Sequence, residues 1–501
     1  MSVLDWVAKW ADYSPQKIAV ADLESGEEFS YRELHLRANE MVHFLQEHYK
    51  EGDRIAVLME HSINLIALFS ACQRLGLILV PLNYKLSAPE ILDQLRDCKP
   101  SLVIYSEFFS SPISLIKDSF ETITLADFNH QVSSFTGKEF PLLNEINEEL
   151  PIFLFYTSGT TAEPKGVLYT NKMLFWNSLN TTMQLGISDE DTTLSILPPY
   201  HTSGWNIFVT PLLHNGGKIL MLSKFNADKI LYHLENEKIS LLMALPTILQ
   251  MISKCEGFSK ADFSHLRFII SGGEIISKEI IKQWKNEKQV DIRSGYGLTE
   301  AGPSITSLHQ DFNITKPNSI GKPNFYVELD IVDAKGNSLK NNQVGELRIK
   351  GAVVTPGYWN NSVATKDKIK NSWFYTGDLA TRDEEGFYYL KGRIDDMYIS
   401  GGENIFPQEI ENVLNQHPSI LRSMIIPVKD DVWGKKGVAF LETNQEISDQ
   451  EIREFMKDKL AKFKHPKEFI LMTAFPITGF GKVSRKDLKR LYLHQKQNSN
   501  F

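Results

Sequence analysis

Between residues 55 and 300 one rhythm repeats along the chain: a short apolar run rich in β-branched residues, a turn, then a segment with helical spacing. Arg54–Met59, Ile152–Tyr156, Ile219–Leu222, Leu241–Leu245, Arg267–Ser271 and Val290–Arg293 are the strand candidates. Strands separated by helices pair side by side in one direction, so the pattern predicts mainly parallel sheets covered by helices. The longest apolar stretch, Ile63 to Pro81, carries Asn64, Gln73, Arg74 and Gly76. It reads as a helix running into a short strand and not as a membrane span. From Val327 the spacing tightens, and Val327–Val332, Gly345–Lys350 and Phe387–Lys391 alternate between turn signals such as Ala334-Lys335-Gly336-Asn337, an antiparallel β subdomain. After the Gly-, Asp- and Ser-rich segment Gly392–Phe406 come a helix-like Pro407–Asn415 and strand-like Ser423–Val428 and Val438–Glu442. The expected fold is α/β: a large N-terminal domain, residues 1–391, of helix-covered mainly parallel sheets plus an antiparallel β subdomain, and a small α+β C-terminal domain, residues 392–501.

Composition narrows the function classes. At 501 residues the chain needs two or more hydrophobic cores. Its 62 acidic against 54 basic side chains give a net charge of −8, which disfavours a broad phosphate-backbone footprint, so no nucleic-acid partner is expected. Cys72, Cys98 and Cys255 lie far apart with no C-x-x-C pair, which fits a reducing cytosol. Asp5 and Lys9 interrupt Trp6, Val7 and Trp10, unlike a secretory signal; a cytoplasmic protein without a transmembrane segment is expected.

The chemistry-bearing motifs follow strand candidates. Y-T-S-G-T-T-A-E-P-K-G at Tyr156–Gly166 joins amides, hydroxyls and an ammonium in a loop that can wrap a polyphosphate, although composition alone also allows an ordinary polar loop. No G-x-x-x-x-G-K-[ST] occurs, which removes the main support for a P-loop kinase or ATPase. G-Y-G-L-T-E at Gly295–Glu300 offers close backbone approach, an aromatic face at Tyr296 and oxygen ligands at Thr299 and Glu300 for Mg²⁺. Y-T-G-D at Tyr375–Asp378, the segment Gly392–Glu411 and P-I-T-G-F-G-K-V-S-R at Pro476–Arg485 complete the series.

With these five segments in order, nearly the whole chain resembles the adenylate-forming superfamily of acyl-CoA synthetases, adenylation domains and beetle luciferases. The resemblance implies an enzyme in which a carboxylate attacks the α-phosphate of Mg-ATP, pyrophosphate leaves, and a thiol, commonly that of coenzyme A, captures the acyl-adenylate. It places Thr157, Ser158, Gly159, Thr160, Thr161 and Lys165 on the β- and γ-phosphates, and Tyr296 and Gly297 on the adenine with Ser271, Gly272, Gly273 and Glu274 beside them. Thr299 falls near the α-phosphate and Glu300 near Mg²⁺, while Asp378 and Arg393 bind the ribose. Lys482 bridges carboxylate and α-phosphate, and the small domain is implied to be mobile about Asp395, with pantetheine passing Gly401 and Gly402. Taken singly, Asp378 reads equally as an Asx turn, Arg393 as a solvated charge, Asp395 as part of a capped loop and Lys482 as a surface lysine. Ala162 stands where the family usually has Gly; its methyl restricts φ, and altered ATP affinity is the expected effect.

Pro198–Trp205 resembles the segment lining the family's acid site, with His201 near the carboxylate and Trp205 near the acyl group; a satisfied core histidine is the competing view of His201. The D-A-S-x-W-like context of amino-acid adenylation is absent, and Trp205, Met243, Leu245, Pro246, Gly302 and Pro303 are apolar or small. The expected activity is therefore an acid–CoA ligase for a medium- or long-chain fatty acid. Its rivals are an aryl-acid–CoA ligase, including the o-succinylbenzoate type, an acyl-AMP ligase loading a carrier protein, and a non-catalytic nucleotide or acid sensor. The partners expected are a small carboxylic acid, ATP and CoA, and a homodimer is left open.

Overall fold

The Ile63–Pro81 stretch folds as its composition requires. Ser62 caps the helix Ile63–Leu75 by accepting from the Leu65 amide, Gly76 ends it in the left-handed conformation at φ 65°, and the strand Ile78–Pro81 follows at once. The computed structural model describes residues 4–110, 113, 119–141, 145–157, 165–273, 276–313, 315–400, 403–443, 445–476 and 483–498. Two compact units divide the chain, one formed by residues 1–329 with 349–375 and the other by 330–348 with 376–501.

The first unit holds two parallel sheets. In one the order is Thr122–Thr124, Leu102–Tyr105, Arg54–Leu58, Ile78–Pro81, Pro151–Thr157 and Lys165–Thr170; all neighbours are parallel except the last two, which form a hairpin. In the other, Ile292–Tyr296, Phe268–Gly272, Leu241–Met243, Thr192–Ser195, Lys218–Met221 and Ile18–Asp22 run parallel side by side. Antiparallel strands flank them, Glu28–Ser30 at one edge and Thr306–Leu308 followed by Ser319–Pro323 at the other. Strands covered on both faces are apolar throughout, as in Ile55, Ala56, Val57 and Leu58, none more than 1% exposed. Between the sheets and helices lies a continuous core that includes Phe69, Phe153, Tyr169 and Trp205. One buried polar cluster interrupts the apolar packing: Arg74 pairs with Asp5 at 2.9 Å and donates to Asn39 and His35, which ties the N-terminal helix Trp6–Tyr13 to its neighbours.

In the second unit Asp378–Arg382, the end of the strand Trp373–Arg382, pairs antiparallel with Tyr388–Arg393, and a Tyr398–Ser400/Glu403–Ile405 hairpin follows. Ile420–Asp430, Gly434–Thr443 and Glu468–Met472 then form a mixed sheet covered by the helices Pro407–Leu414 and Asp449–Lys457. Ile410, Leu414, Ile425, Leu441, Ile452 and Met456 make its core. All three cysteines are free thiols, and among the described residues no helix is long and apolar enough to cross a membrane.

Candidate active site

Parallel strands end together, and in the second sheet the carboxyl ends bring Ser195, Met243, Gly272 and Tyr296 into one row, with Met243 opposite Ile270 and Gly272 opposite Gly295. Loops at such ends are where open α/β sheets bind ligands. The backbone here is built for close approach. A Cβ on Gly297 would lie 2.1 Å from the Pro303 carbonyl oxygen, because the Tyr296–Ile305 loop doubles back and Ile305 donates to Tyr296. Gly273 has φ +83° and Gly302 φ +77°, conformations that side chains oppose. Tyr296, Thr299 and Glu300 are half-buried on this loop.

The hairpin Pro151–Thr157/Lys165–Thr170 sets Thr157 directly opposite Lys165, so the ends of the loop between them are one strand spacing apart. Ser158, Gly159, Thr160, Thr161 and Ala162 in that loop lie outside the described residues, as do Glu274, Gly401, Gly402 and Lys482. Lys165 Nζ lies 5.8 Å from the centre of the Tyr358 ring, and the Tyr358 hydroxyl donates to Glu300 Oε1 at 2.9 Å. Thr355 donates its amide to the Glu300 carbonyl, and its hydroxyl reaches Leu168 O at 2.6 Å. Tyr358 thus links the lysine of the Tyr156–Gly166 motif to the carboxylate of the Gly295–Glu300 motif. Sequence reasoning passed over Tyr358; its only local signal is Thr355-Pro356-Gly357-Tyr358, where Gly357 at φ +150° turns the chain. Among the described residues no group of three or more His, Cys, Asp or Glu side chains converges. Glu300, half-buried and held by the Tyr358 hydroxyl, is a carboxylate of the kind that Mg²⁺ takes together with phosphate oxygens and water.

His201 is half-buried at the start of the helix Thr202–Asn206, its ring 4.7 Å from that of Tyr200. Rings continue from Tyr200 to Tyr84 at 4.9 Å and from Tyr84 to Phe109 at 5.1 Å, spacings of edge-to-face and stacked contact. Burial, with Glu60 nearby, pushes the Tyr84 hydroxyl up to about 12. Gly204 has no room for a side chain, since a Cβ would stand 2.3 Å from Pro198 O. Trp205 is fully enclosed by His61, Phe69 and Phe153 and donates its indole N–H to Pro199 O at 2.8 Å, so it braces this segment from within the core. Met243 lines a small crevice with Ser203, Gly204 and Phe208. Burial pulls the His61 ring down to about 4, which keeps it neutral.

In the second unit Asp378 and Arg393 are brought together. The Tyr375–Asp378 motif, which alone could have been an Asx turn, lies within the strand Trp373–Arg382, where Gly377 takes φ +78°. Asp378 pairs in register with Arg393, and the Asp378 amide donates to Thr376 Oγ1 at 2.9 Å. Asp395 is exposed in the turn that leaves the Tyr388–Arg393 strand.

Comparison with known proteins shows the family. Residues 7–359 match the AMP-binding enzyme family, and residues 409–482 match the AMP-binding enzyme C-terminal domain. The chain is similar to indoleacetate–CoA ligase of Aromatoleum aromaticum, at 30% identity over 98% of each chain. It is similar to 2-succinylbenzoate–CoA ligase of Oceanobacillus iheyensis at 32% identity, over 96% of this chain and 98% of the relative. Among solved structures it resembles o-succinylbenzoate CoA synthetase from Bacillus subtilis, at 28% identity over 97% of this chain. TM-scores are 0.85 for the complex with its acyl-adenylate intermediate, covering 98% of that chain, and 0.86 for the complex with ATP and magnesium ion, covering 99%. The family match spans well over half of the sequence and the relatives align end to end, so the chain belongs to the AMP-binding enzymes of the adenylate-forming superfamily and is acyl-CoA synthetase-like.

Proposed function

We propose that this enzyme is an aryl-acid–CoA ligase. That it is an AMP-forming acid–CoA ligase using ATP, Mg²⁺ and CoA follows from its family; the aryl preference is the step beyond. What carries it is that relatives aligned along the whole chain are named for acids bearing a ring, indoleacetate and 2-succinylbenzoate. The run of rings from Phe109 through Tyr84 and Tyr200 to His201 supports it, since aromatic faces and edges favour a flat substrate. The fatty-acid preference expected from the apolar residues near Trp205 takes second place for this reason.

The electrostatic task is to let a carboxylate approach a polyanion, which requires donors and cations fixed where negative charge accumulates. Residues 157–161 with Lys165 would hold the β- and γ-phosphates, and Tyr358 would keep Lys165 and Glu300 at a fixed spacing around Mg²⁺. Thr299 would donate to the α-phosphate and His201 would hold the acid. Gly273, Glu274, Tyr296 and Gly297 would enclose the adenine, and Asp378 with Arg393 the ribose. Lys482 would join the carboxylate to the α-phosphate in the first step. For the second, the portion beyond residue 391 would turn about Asp395, with Gly401 and Gly402 admitting the pantetheine. Three free thiols favour the cytosol as its compartment.

The deciding experiment is a panel of arylacetic, arylpropenoic, benzoic and C6–C18 fatty acids, followed by pyrophosphate release with CoA present and by mass spectrometry of the thioester. The highest kcat/KM with an aryl acid is the expected result. A fatty acid in first place would overturn the aryl reading, and adenylate formation without thioester would point to a carrier-protein acceptor.

A further inference from the structure

Three charged side chains, Glu346, Arg348 and Lys350, share one face of the strand Gly345–Lys350, while Leu347 and Ile349 on the other face are 0% exposed. Two of the three have ionic partners on the strand Glu328–Val332: Arg348 lies 2.7 Å from Asp330 and Lys350 3.1 Å from Glu328. Glu346 has none among the described residues. Its half-buried carboxylate accepts a single hydrogen bond, from the backbone N–H of Gly377 at 3.0 Å. Partial burial of a carboxylate costs free energy that one backbone amide offsets only in part, so the placement asks for a reason.

That reason lies in the residue being held. Gly377 takes φ +78°, a left-handed backbone conformation, and directly precedes Asp378. Three further hydrogen bonds close around the same turn: Ile394 N–H donates to the Gly377 carbonyl at 2.8 Å, Asp378 N–H to Thr376 Oγ1 at 2.9 Å, and the Thr376 hydroxyl to the Leu347 carbonyl at 2.7 Å. Glu346 and Leu347 are consecutive on one strand, the first acting through its side chain and the second through its carbonyl. Between them they fix the Thr376–Gly377–Asp378 backbone, and with it the direction in which the Asp378 side chain leaves the chain. Glu346 is a tether that substitution removes without altering Thr376, Gly377 or Asp378 themselves.

We infer that Glu346 is a positioning residue for nucleotide selection: by holding the Gly377 amide it aims Asp378 at the ribose hydroxyls, and so sets how strongly the enzyme prefers ATP to its 2′- and 3′-deoxy analogues. This rests on the ribose role proposed above for Asp378. A carboxylate that recognises hydroxyls depends on its direction; displaced or freed to turn, it keeps its charge and loses its well-aligned hydrogen bonds. Loss of the tether therefore weakens the use of ATP more than that of the deoxy analogues, which have fewer hydroxyls to lose contact with.

The test uses the full-length enzyme with the best acid of the panel and CoA, and compares kcat/KM for ATP, 2′-deoxyATP and 3′-deoxyATP. The unaltered enzyme should prefer ATP to at least one analogue by about 10-fold or more, the scale of a hydrogen bond to a charged group. In Glu346→Ala that preference should fall by about threefold or more, while Glu346→Gln, whose amide oxygen can still accept from Gly377, should keep it. Glu346→Asp retains the charge but is one methylene too short for the 3.0 Å contact. It should behave like the alanine variant, and it supplies the measurement if Glu346→Ala does not fold. A merely structural role would lower kcat/KM for all three nucleotides together and leave the preference in place, which would overturn the inference. Asp378→Ala separates the inference from the reading beneath it. A preference that Asp378→Ala abolishes and the shortened Glu346 variants retain would sink the Glu346 assignment alone. No preference in the unaltered enzyme, or one that survives Asp378→Ala, would sink the ribose role together with it.

Discussion

Asp378 and Arg393 face each other across adjoining antiparallel strands, with Arg393 Nη1 3.3 Å from Asp378 Oδ1. The arginine side chain is 42% exposed, so as an ion pair it adds little to stability, within about 1 kcal/mol. A pair held in register with so little structural return suits a ligand-binding role. Asp378→Ala should raise the KM for ATP by about 10- to 100-fold, the loss of a charge-assisted pair of hydrogen bonds, while Tm stays within about 2 °C. A large fall in Tm with unchanged ATP kinetics would make the pair structural.

Lys482→Ala should abolish acyl-adenylate formation and spare thioester formation from a preformed adenylate, if its ammonium has the role proposed above, where charge builds on the α-phosphate. Separate assays of the two half-reactions read this directly. Equal loss in both would remove Lys482 from the adenylation step.

Asp395→Pro should suppress acyl-CoA formation by orders of magnitude while first-turnover pyrophosphate release persists. Proline fixes φ near −65° and restricts Ile394 as well, in the exposed turn at which the pivot is proposed. Circular dichroism should remain native. Acyl-CoA formation at the parental rate in the folded variant would place the pivot elsewhere.

Acid should destabilise the first unit through three imidazoles. Burial lowers His35, His61 and His214 to about 4 each from 6.5, with the Arg74 charge adding to the effect at His35. A depressed pKa means the unfolded chain takes the proton first. The stabilising contribution is complete above pH 6.5 and is lost as pH falls through 4, at up to about 1.4 kcal/mol per pH unit for each ring. Denaturant midpoints should therefore fall steadily between pH 7 and 4.5, and His61→Leu should flatten the slope. A midpoint unchanged over that interval would contradict the burial of these rings as neutral groups.

Much of the architecture could be read locally. The helix and strand within Ile63–Pro81 follow from its polar interruptions and Gly76, and Pro407–Leu414 starts with proline at its first turn, as its sequence suggested. The strands Ile18–Asp22, Leu102–Tyr105 and Thr192–Ser195 escaped that reading. They are four or five residues long, and a strand buried on both faces shows no alternation to detect.

The same division holds for the active site. Sequence alone determined the order of elements and the chemistry available at each: the hydroxyl- and glycine-rich loop ending in Lys165, the Tyr296–Glu300 turn, and Asp378 followed by Arg393. These are properties of short segments, set by backbone freedom and side-chain type. Only the tertiary structure decided that Leu241–Met243 lies between Thr192–Ser195 and Phe268–Gly272, that Tyr358 reaches Glu300 from 58 residues away, and that the Glu346 carboxylate meets the Gly377 amide. Such relations arise when distant segments bury their apolar faces against one another. Which polar atoms then find partners depends on that three-dimensional packing, and no local window of sequence contains it.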